Sequence, residues 1–172
     1  MLIPDKLTNF IGYDDSDIMI GTVDVALPNL AFITEALSGA GIAGEIDMPT
    51  IGHLQSLVLG INWRSLVEDN IKLLAPITKQ LTLKGSLQLY DKVAGELVEQ
   101  ALRIVTKAMP KGVNLGNLNP ATGMGTSGEF ELSYIKIAIN GRDMVEVDKL
   151  NFKYIVDGVD YLEETRRNMG LS

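Results

Sequence analysis

The sequence predicts a mainly β protein with few helices. Its 172 residues include 17 glycines and 6 prolines scattered over the whole length, so the segments between these turn residues are mostly strand-sized. Several segments alternate apolar and polar residues with a period of two, as a half-buried strand does. Near the carboxyl end, Asn140-Gly141 separates two such segments. This dipeptide predicts a β-hairpin, because both residues accept the positive φ of a type I′ turn.

Two strands are predicted before that hairpin. Residues 18–27 alternate and stop at Pro28, which cannot continue a central ladder. Residues 78–90 show the clearest period of two. Polar residues occupy one parity there, and the other parity carries Leu81, Leu83, Leu87 and Leu89. This pattern predicts a strand with one buried face.

The strands of the hairpin are predicted over residues 129–139 and 144–154. In both strands the apolar residues change parity partway along. The sets are Phe130, Leu132 and Tyr134, then Ile135, Ile137 and Ile139; and Val145 and Val147, then Leu150, Phe152 and Tyr154. A bulge or an intramolecular core would explain the change, and so would a second face buried against another subunit. Both interpretations stay open, because the parities alone do not separate them.

Three segments have helical periodicity. Residues 63–74 carry apolar residues at three- and four-residue steps, with Asn62 as a possible N-cap and Pro76 as a stop. Residues 159–169 begin near acidic side chains and end near basic ones, and Gly170 stands at the C′ position. Residues 96–109 fit a helix better than a strand by periodicity alone.

Residues 111–128 are rich in Gly, Asn, Thr and Ser, which predicts a long exposed loop. There is no internal repeat and no convincing domain boundary. We therefore expect residues 1–172 to form one domain, which is ordinary for a chain of this length.

The composition argues against most classes of enzyme. With no cysteine, the chain has no thiol nucleophile, disulfide, iron–sulfur site or Cys-type zinc site. His53 is its one histidine, so a His pair for catalytic zinc is missing. We predict no catalytic residue, no cofactor and no metal site.

The charge argues against tight binding of nucleic acids. The chain has 15 basic and 22 acidic residues, a formal net charge of −7, and a pI near 4.7. A net negative charge opposes binding to the phosphate groups of nucleic acids. The amino-terminal residues do not read as a secretory signal, and no apolar run is long enough to span a bilayer. The expectation is a soluble protein made in the cytoplasm.

Four features suggest binding or catalytic sites, and each has a simpler interpretation. Residues 39–44 spell GxGxxG, but Pro49 would interrupt the helix that a dinucleotide fold requires, so we interpret them as a glycine loop. Residues 14–17 are acidic without the rest of an EF-hand, which indicates a turn. Glu129 and Glu131 lie about 7 Å apart on one strand face, a spacing that also suits glycosidases, yet solvent-facing charge is the stronger interpretation. We expect His53 to be a surface or partly buried strand residue.

The order of these features resembles that of the major tail tube proteins of contractile-tailed bacteriophages, the inner tubes of contractile injection systems. Residues 132–170 resemble the closing hairpin and helix of that family. The matching motifs are Tyr134-x-Lys136, Asn140-Gly141, Val145-Glu146-Val147-Asp148 and Asp157-Gly158-Val159-Asp160. In the amino-terminal half, Leu27-Pro28-Asn29-Leu30 and the glycine-rich residues 38–44 agree with the family. The resemblance covers most of the chain.

This resemblance implies a β-sandwich or partly closed barrel of the tail-tube type, with a short flanking carboxyl-terminal helix. It also implies a strand over residues 96–109, although the periodicity of these residues favours a helix. The implied assembly is a stack of hexameric rings that forms the inner tube of a contractile tail and conducts DNA during ejection. The alternative is the tube of a phage-derived bacteriocin, or of a related system without a DNA-filled head.

The implied partners are other copies of the chain, the tail sheath protein, the tape measure protein, and the baseplate and tail terminator proteins. DNA would pass through the lumen without specific binding, since acidic groups facing it would repel phosphates. No membrane is involved, and the location is the virion tail after synthesis in the host cytoplasm. The glycine segment and the 111–128 loop are candidates for ordering between stacked rings. The candidate self-assembly residues are Gly39, Gly41, Ile42, Gly44, Met48, Ile135, Ile137, Ile139, Val145 and Val147.

Overall fold

The computed structural model describes residues 1–171, with Thr22 and Val23 described by their backbone only. Within that range the chain forms eleven strands and two short helices. They are β1 (Leu2–Tyr13), β2 (Thr22–Ala26), β3 (Phe32–Ser38), β4 (Glu45–Leu54), β5 (Val58–Trp63), α1 (Glu68–Lys72), β6 (Lys79–Asp91), β7 (Glu96–Asn114), β8 (Thr126–Ile139), β9 (Arg142–Asp148), β10 (Lys153–Val156), β11 (Val159–Asp160) and α2 (Glu163–Asn168). The prediction of a mainly β fold with a short carboxyl-terminal helix is confirmed.

One antiparallel sheet organises the body of the molecule. Its strands follow the order β1-β6-β7-β8-β9-β10-β11, so β1 and β11 lie at opposite ends and the sheet is not a closed barrel. Strand β8 has two different partners on one of its sides. Its first half pairs with β5, which in turn pairs with β2, and its second half pairs with β9. The sheet therefore branches at the middle of β8.

The core lies on one face of this sheet and is formed mainly by side chains of β5, β6, β7 and β8. On β6 the predicted apolar parity is buried at Leu81 and Leu83, and Thr82 on the opposite face is also shielded. Trp63 packs edge-on against Phe130 with ring centroids 6.4 Å apart, and its indole N–H donates to the Ile20 carbonyl at 2.9 Å. Other fully buried members are Leu57, Leu59, Ile61, Leu73, Leu132, Ile135 and Val147.

A bulge explains the change of parity in the carboxyl-terminal hairpin. Lys107 of β7 pairs with Tyr134, but its neighbour Ala108 pairs with Leu132, so Ser133 is an extra residue in β8. The buried side of β8 therefore shifts from even-numbered to odd-numbered residues at this point. In the second predicted strand of the hairpin, the change of parity coincides with a turn at residues 149–152, between β9 and β10. The Asn140-Gly141 turn is confirmed, with φ of 50° and 77°.

The two predicted helices at residues 63–74 and 159–169 are both shorter in the structure, because strand residues occupy the start of each range. Residues 63–74 do not form one helix, because Trp63 pairs with Thr126 and Thr22 inside the sheet, and only Glu68–Lys72 are helical. The carboxyl-terminal helix begins at Glu163 rather than at Val159, because Val159 pairs with Val156 of β10. Its end is as predicted, since Gly170 follows the C-cap with φ of 73°.

Three other segments differ from the periodicity-based predictions. Residues 96–109 belong to strand β7, as the resemblance implied and the helical periodicity did not. Pairing with β6 on one side and β8 on the other overrides the local helical preference. The strand predicted at 18–27 is limited to Thr22–Ala26. The loop predicted at 111–128 shortens to residues 115–125, because its ends extend β7 and β8. No helix among the described residues is long and apolar enough to cross a membrane.

Candidate self-assembly surface

Strands β3 and β4 form a two-stranded ribbon outside the main sheet, which we call the arm. Leu37 pairs with Ile46, and Glu35 pairs with Met48, so these side chains share one face of the ribbon. That face carries four apolar side chains, each 45–50% exposed: Ile33, Leu37, Ile46 and Met48. Glu35 shares that face, and the opposite face carries Thr34, Ser38, Glu45 and Asp47 together with Ala36 and Pro49. The arm is thus an amphipathic ribbon whose apolar face is open to solvent.

The glycine segment at residues 39–44 is the turn at the tip of the arm. Gly39, Gly41 and Gly44 all have positive φ, at 142°, 92° and 121°. The Ile42 N–H donates to the Gly39 carbonyl at 3.1 Å, and strand β4 follows directly. The segment therefore opens a strand and not a helix, which removes the requirement for a dinucleotide site.

The base of the arm is fixed to the carboxyl-terminal part of the chain. Gly52 has φ of 67°, and a β-carbon built there would lie 2.6 Å from the Leu162 Cγ atom. On the partner strand, the Phe32 ring meets the Tyr154 ring edge-on with centroids 5.5 Å apart. The Gln55 N–H donates to the Ala31 carbonyl at 2.8 Å, just below the arm. The direction in which the arm leaves the body is therefore set by contacts at its base.

An ion pair holds the segment that carries Leu162. The Arg166 guanidinium donates to the Asp160 carboxylate at 2.6 Å and to the Phe152 carbonyl at 2.6 Å. The Leu162 N–H also donates to Asp160, at 3.0 Å. Burial raises the pKa of Asp160, but the hydrogen bonds from Arg166 and Leu162 outweigh it and hold that pKa below its usual value. The carboxylate is thus stabilised in its charged form at this position.

Within the described residues, the second edge of the first strand is free over most of its length and is paired only at its end, where Gly12 and Tyr13 meet Ile20 and Met19. Strand β1 hydrogen-bonds to β6 on one side, and it is the first strand in the order of the sheet. Leu2, Ile3, Leu7 and Ile11 are each 41–43% exposed along it. A long edge strand with exposed apolar residues is a template for pairing with another chain.

The structure separates the predicted self-assembly residues into two groups. Gly39, Gly41, Gly44 and Met48 are exposed on the arm, and Ile42 is half-buried there. The other group lies in the body: Ile135 and Val147 are 1% exposed in the core, and Ile137, Val145 and Ile139 are half-buried. Ile137 and Val145 pack against the core cluster of the same chain. Four of these side chains are therefore packed within the chain, as the bulge interpretation requires: Ile135, Ile137, Val145 and Val147.

Sequence reasoning missed Ile33, Leu37 and Ile46. Only part of the signal was present, because residues 45–48 alternate polar and apolar side chains whereas residues 32–38 contain adjacent apolar pairs. One short alternating run after a glycine turn indicates a strand but does not specify its partner.

The other candidate motifs have structural roles. The Asp14 carboxylate accepts from the backbone N–H groups of Ser16 and Ile18, both at 2.9 Å, which is the predicted turn. His53 is exposed on β4. Among the described residues there is no group of three or more acidic, His or Cys side chains placed to hold a metal ion.

Glu131 differs from the solvent-facing charge that we predicted, because it fastens the segment before β5. Its carboxylate accepts from the Ser56 hydroxyl at 2.6 Å and from the Leu57 N–H at 3.2 Å. The Ser56 hydrogen bond is the main reason that the pKa of Glu131 lies below its usual value. Its neighbour Glu129 is exposed, as predicted.

The 115–125 loop is tied to the body and to itself. The Met124 N–H donates to the Arg64 carbonyl at 2.7 Å, and the Asn117 N–H donates to the Met124 carbonyl at 2.8 Å. Leu115 and Leu118 are nevertheless 56% and 86% exposed. The loop thus exposes apolar side chains to solvent while hydrogen bonds hold its backbone in place.

Comparison with known proteins identifies relatives over nearly the whole chain. Residues 4–170 match the family model described as phage tail tube protein FII. The chain is 28% identical over 153 residues to the tail tube protein of Escherichia phage P2, which covers 86% of each protein. Among solved structures, it is similar to a chain of the sheath/tube terminator of an extracellular contractile injection system (PVC) in its extended state. The TM-score is 0.56 with 15% identity, over 78% of this chain and 96% of the other.

Proposed function

The chain belongs to the phage tail tube protein FII family, and we propose that it self-assembles into stacked hexameric rings that form the inner tube of a contractile phage tail. The family consists of structural proteins of the virion tail and not of enzymes. In this proposal residues 1–172 act as a single tail tube domain, made in the host cytoplasm. The tube is the conduit through which DNA is ejected.

The arm is the observation that carries the proposal. A two-stranded ribbon is marginally stable alone in water, and four apolar side chains on one face of this arm remain 45–50% exposed. Burying them against a second copy would supply the missing packing, at roughly 25 cal/mol for each Å² of apolar surface removed from water. We therefore assign the arm, with its predicted residues Gly39, Gly41, Ile42, Gly44 and Met48, to the contact between copies.

Edge pairing provides a second route of association. The free edge of β1 can accept the edge strand of a neighbour in the same ring, which would extend the sheet from subunit to subunit. The exposed Leu115 and Leu118 of the 115–125 loop are a further candidate contact between rings. Ile135 and Val147 are left out of the proposed interface because they are already buried in the core.

The proposed partners follow from the role of an inner tube. They are the tail sheath outside, the tape measure protein and then DNA inside, and the baseplate and tail terminator at the two ends. The net charge of −7 supports passage of DNA without specific binding. The alternative is the same tube in a bacteriocin or a related injection system, and neighbouring capsid and terminase genes would decide between them.

Sedimentation velocity over a concentration series tests the self-assembly. We expect species much larger than the 18.7 kDa monomer to increase with protein concentration. An arm carrying Leu37→Asp and Ile46→Asp should shift the distribution back to monomer. Monomer alone for the unaltered chain, at every concentration and ionic strength, would overturn the proposal.

A further inference from the structure

The face of the main sheet opposite the core carries three cationic side chains on two adjacent strands. Lys84 of β6 pairs directly with Arg103 of β7. Lys107 lies four residues after Arg103 on β7 and therefore projects from the same face. All three side chains are exposed. The core parity on these strands, Leu83 and Ile104, points the other way. We call Lys84, Arg103 and Lys107 the cationic row.

The cationic row borders a groove of about 590 Å³ across β7 and β8. Arg103 and Lys107 line it, together with Gln80, Tyr134, Lys136 and Asp143. Tyrosine rings flank the row, since the Lys107 Nζ atom lies 5.4 Å from the centroid of Tyr134 and the Lys84 Nζ atom lies 4.7 Å from that of Tyr13. The groove is therefore an open polar surface that combines cations with aromatic rings.

The acidic residues of this face already have partners in the chain. Asp143 pairs with Lys136 at 2.8 Å, and Asp148 accepts from Asn151 at 2.7 Å. Glu146 stands directly opposite Lys136 on the neighbouring strand, and the Thr8 hydroxyl donates to the Glu99 carboxylate at 3.5 Å. In contrast, no residue of the cationic row has a carboxylate partner among residues 1–171.

Two positive charges that face each other without a nearby carboxylate repel each other and destabilise the folded protein. Like charges directly opposite each other on neighbouring strands destabilise a sheet. Lys84 and Arg103 stand in that relationship, and the chain has an excess of acidic residues elsewhere. A ligand with closely spaced negative charges would remove the repulsion.

We propose that the cationic row is a contact surface for the phosphate backbone of a nucleic acid, bound without sequence preference. Cations that release counterions from phosphates, interleaved with aromatic rings, are the usual composition of a non-specific nucleic-acid surface. Three such cations on an acidic chain make the contact weak and strongly salt-dependent. This goes beyond the proposed function, which requires only that DNA pass. It adds a face on which the passing polymer is transiently held.

The test measures binding by the soluble chain and does not require assembly, so its failure leaves the tube proposal unaffected. Fluorescence anisotropy of a labelled duplex and of a labelled single strand is recorded at several salt concentrations. With three phosphate contacts, log K should fall against log salt with a slope of about −2.7 for the duplex. A variant with Lys84→Gln, Arg103→Gln and Lys107→Gln should lose this salt-dependent binding.

A matched control removes the same number of charges elsewhere. Lys72→Gln, Lys92→Gln and Arg167→Gln change two lysines and one arginine at exposed positions outside the cationic row. This control should retain the binding and its slope, and urea unfolding should show that both variants are folded. Equal loss in both variants, or no salt-dependent binding by the unaltered chain, would overturn the proposal. Competition by polyglutamate as effective as competition by DNA would also overturn it, by identifying a site for acidic protein segments.

Discussion

Gly52 at the base of the arm packs directly against Leu162, and a β-carbon on Gly52 would lie 2.6 Å from the Cγ atom of Leu162. Leu162 is 3% exposed, so it has little room to move away. The contact couples the arm to the segment before α2, which the Asp160–Arg166 ion pair holds in place. The orientation of the arm, on which self-assembly depends in our account, therefore rests on a glycine remote from the arm tip.

We predict that Gly52→Ala destabilises the protein through two additive effects. Alanine at a positive φ costs about 1 kcal/mol, and overpacking against Leu162 adds about 1–3 kcal/mol. Gly158→Ala is the matched control, because Gly158 has φ of 82° and nothing within 4 Å of its β-carbon position. Urea unfolding should show the larger loss for Gly52→Ala. Equal losses for the two variants would mean that the contact with Leu162 imposes no strain.

Two cross-strand pairs distinguish the core from the exposed surface. Leu37 and Ile46 face each other on the arm, as Ile137 and Val145 do between β8 and β9. Aspartate at both positions of the arm pair should leave a folded monomer that does not assemble. Aspartate at both positions of the body pair should abolish cooperative unfolding, since two charges placed against the core from half-buried positions would be poorly hydrated and would cost several kcal/mol.

Circular dichroism melts and sedimentation together check these expectations. A folded, monomeric variant from the Ile137 and Val145 pair would instead place those residues at an interface between subunits. An unfolded variant from the arm pair would show that the arm contributes to the folded monomer.

The tip of the arm should tolerate little bulk in the assembly. Gly41→Val replaces a residue with φ of 92° by a β-branched one, which strains the turn without touching the core. We expect a folded monomer that does not form tubes in electron micrographs. Gly170→Val, at φ of 73° near the end of the chain, is the control that should still assemble. Normal tubes from Gly41→Val would remove the segment from the mechanism.

Glu131 should make stability depend on acid pH. Its pKa is lowered from 4.5, mainly by the Ser56 hydroxyl, so the folded state binds this proton less readily than the unfolded state. The stabilisation is complete above about pH 4.5 and is lost as the pH falls through the lower folded value. Glu131→Gln should cost about 1 kcal/mol at neutral pH, and the difference from the unaltered chain should vanish on acidification. Urea titrations at several pH values measure it, with Glu129→Gln expected to have almost no effect. A loss for Glu131→Gln that is the same at every pH would exclude the charged carboxylate as its cause.

Local chemistry was sufficient to predict the turns and the strongest strand. The Asn140-Gly141 turn, the Asp14 turn and the 79–91 strand depend on neighbouring residues or on a single periodicity, and all three are present in the structure. The resemblance, and not the periodicity, predicted the strand over 96–109. Its pairing with β6 and β8 involves residues distant in sequence, which no local window contains.

The arm could have been predicted only in part. The glycine turn and the alternation beside it are local, but the absence of a covering layer is a property of the whole fold. The same limit explains why Ile135 and Val147 were assigned to an interface. A single bulge residue, Ser133, decides which parity of β8 faces the core, and its position depends on the register with β7.

Negative-stain electron microscopy of the purified protein over a concentration series is the decisive experiment for self-assembly into rings and tubes. We expect hollow tubes, or rings of sixfold symmetry, that become more abundant as the concentration rises and are missing in the Leu37→Asp, Ile46→Asp variant. Particles of monomer size alone, at all concentrations and ionic strengths, would contradict it.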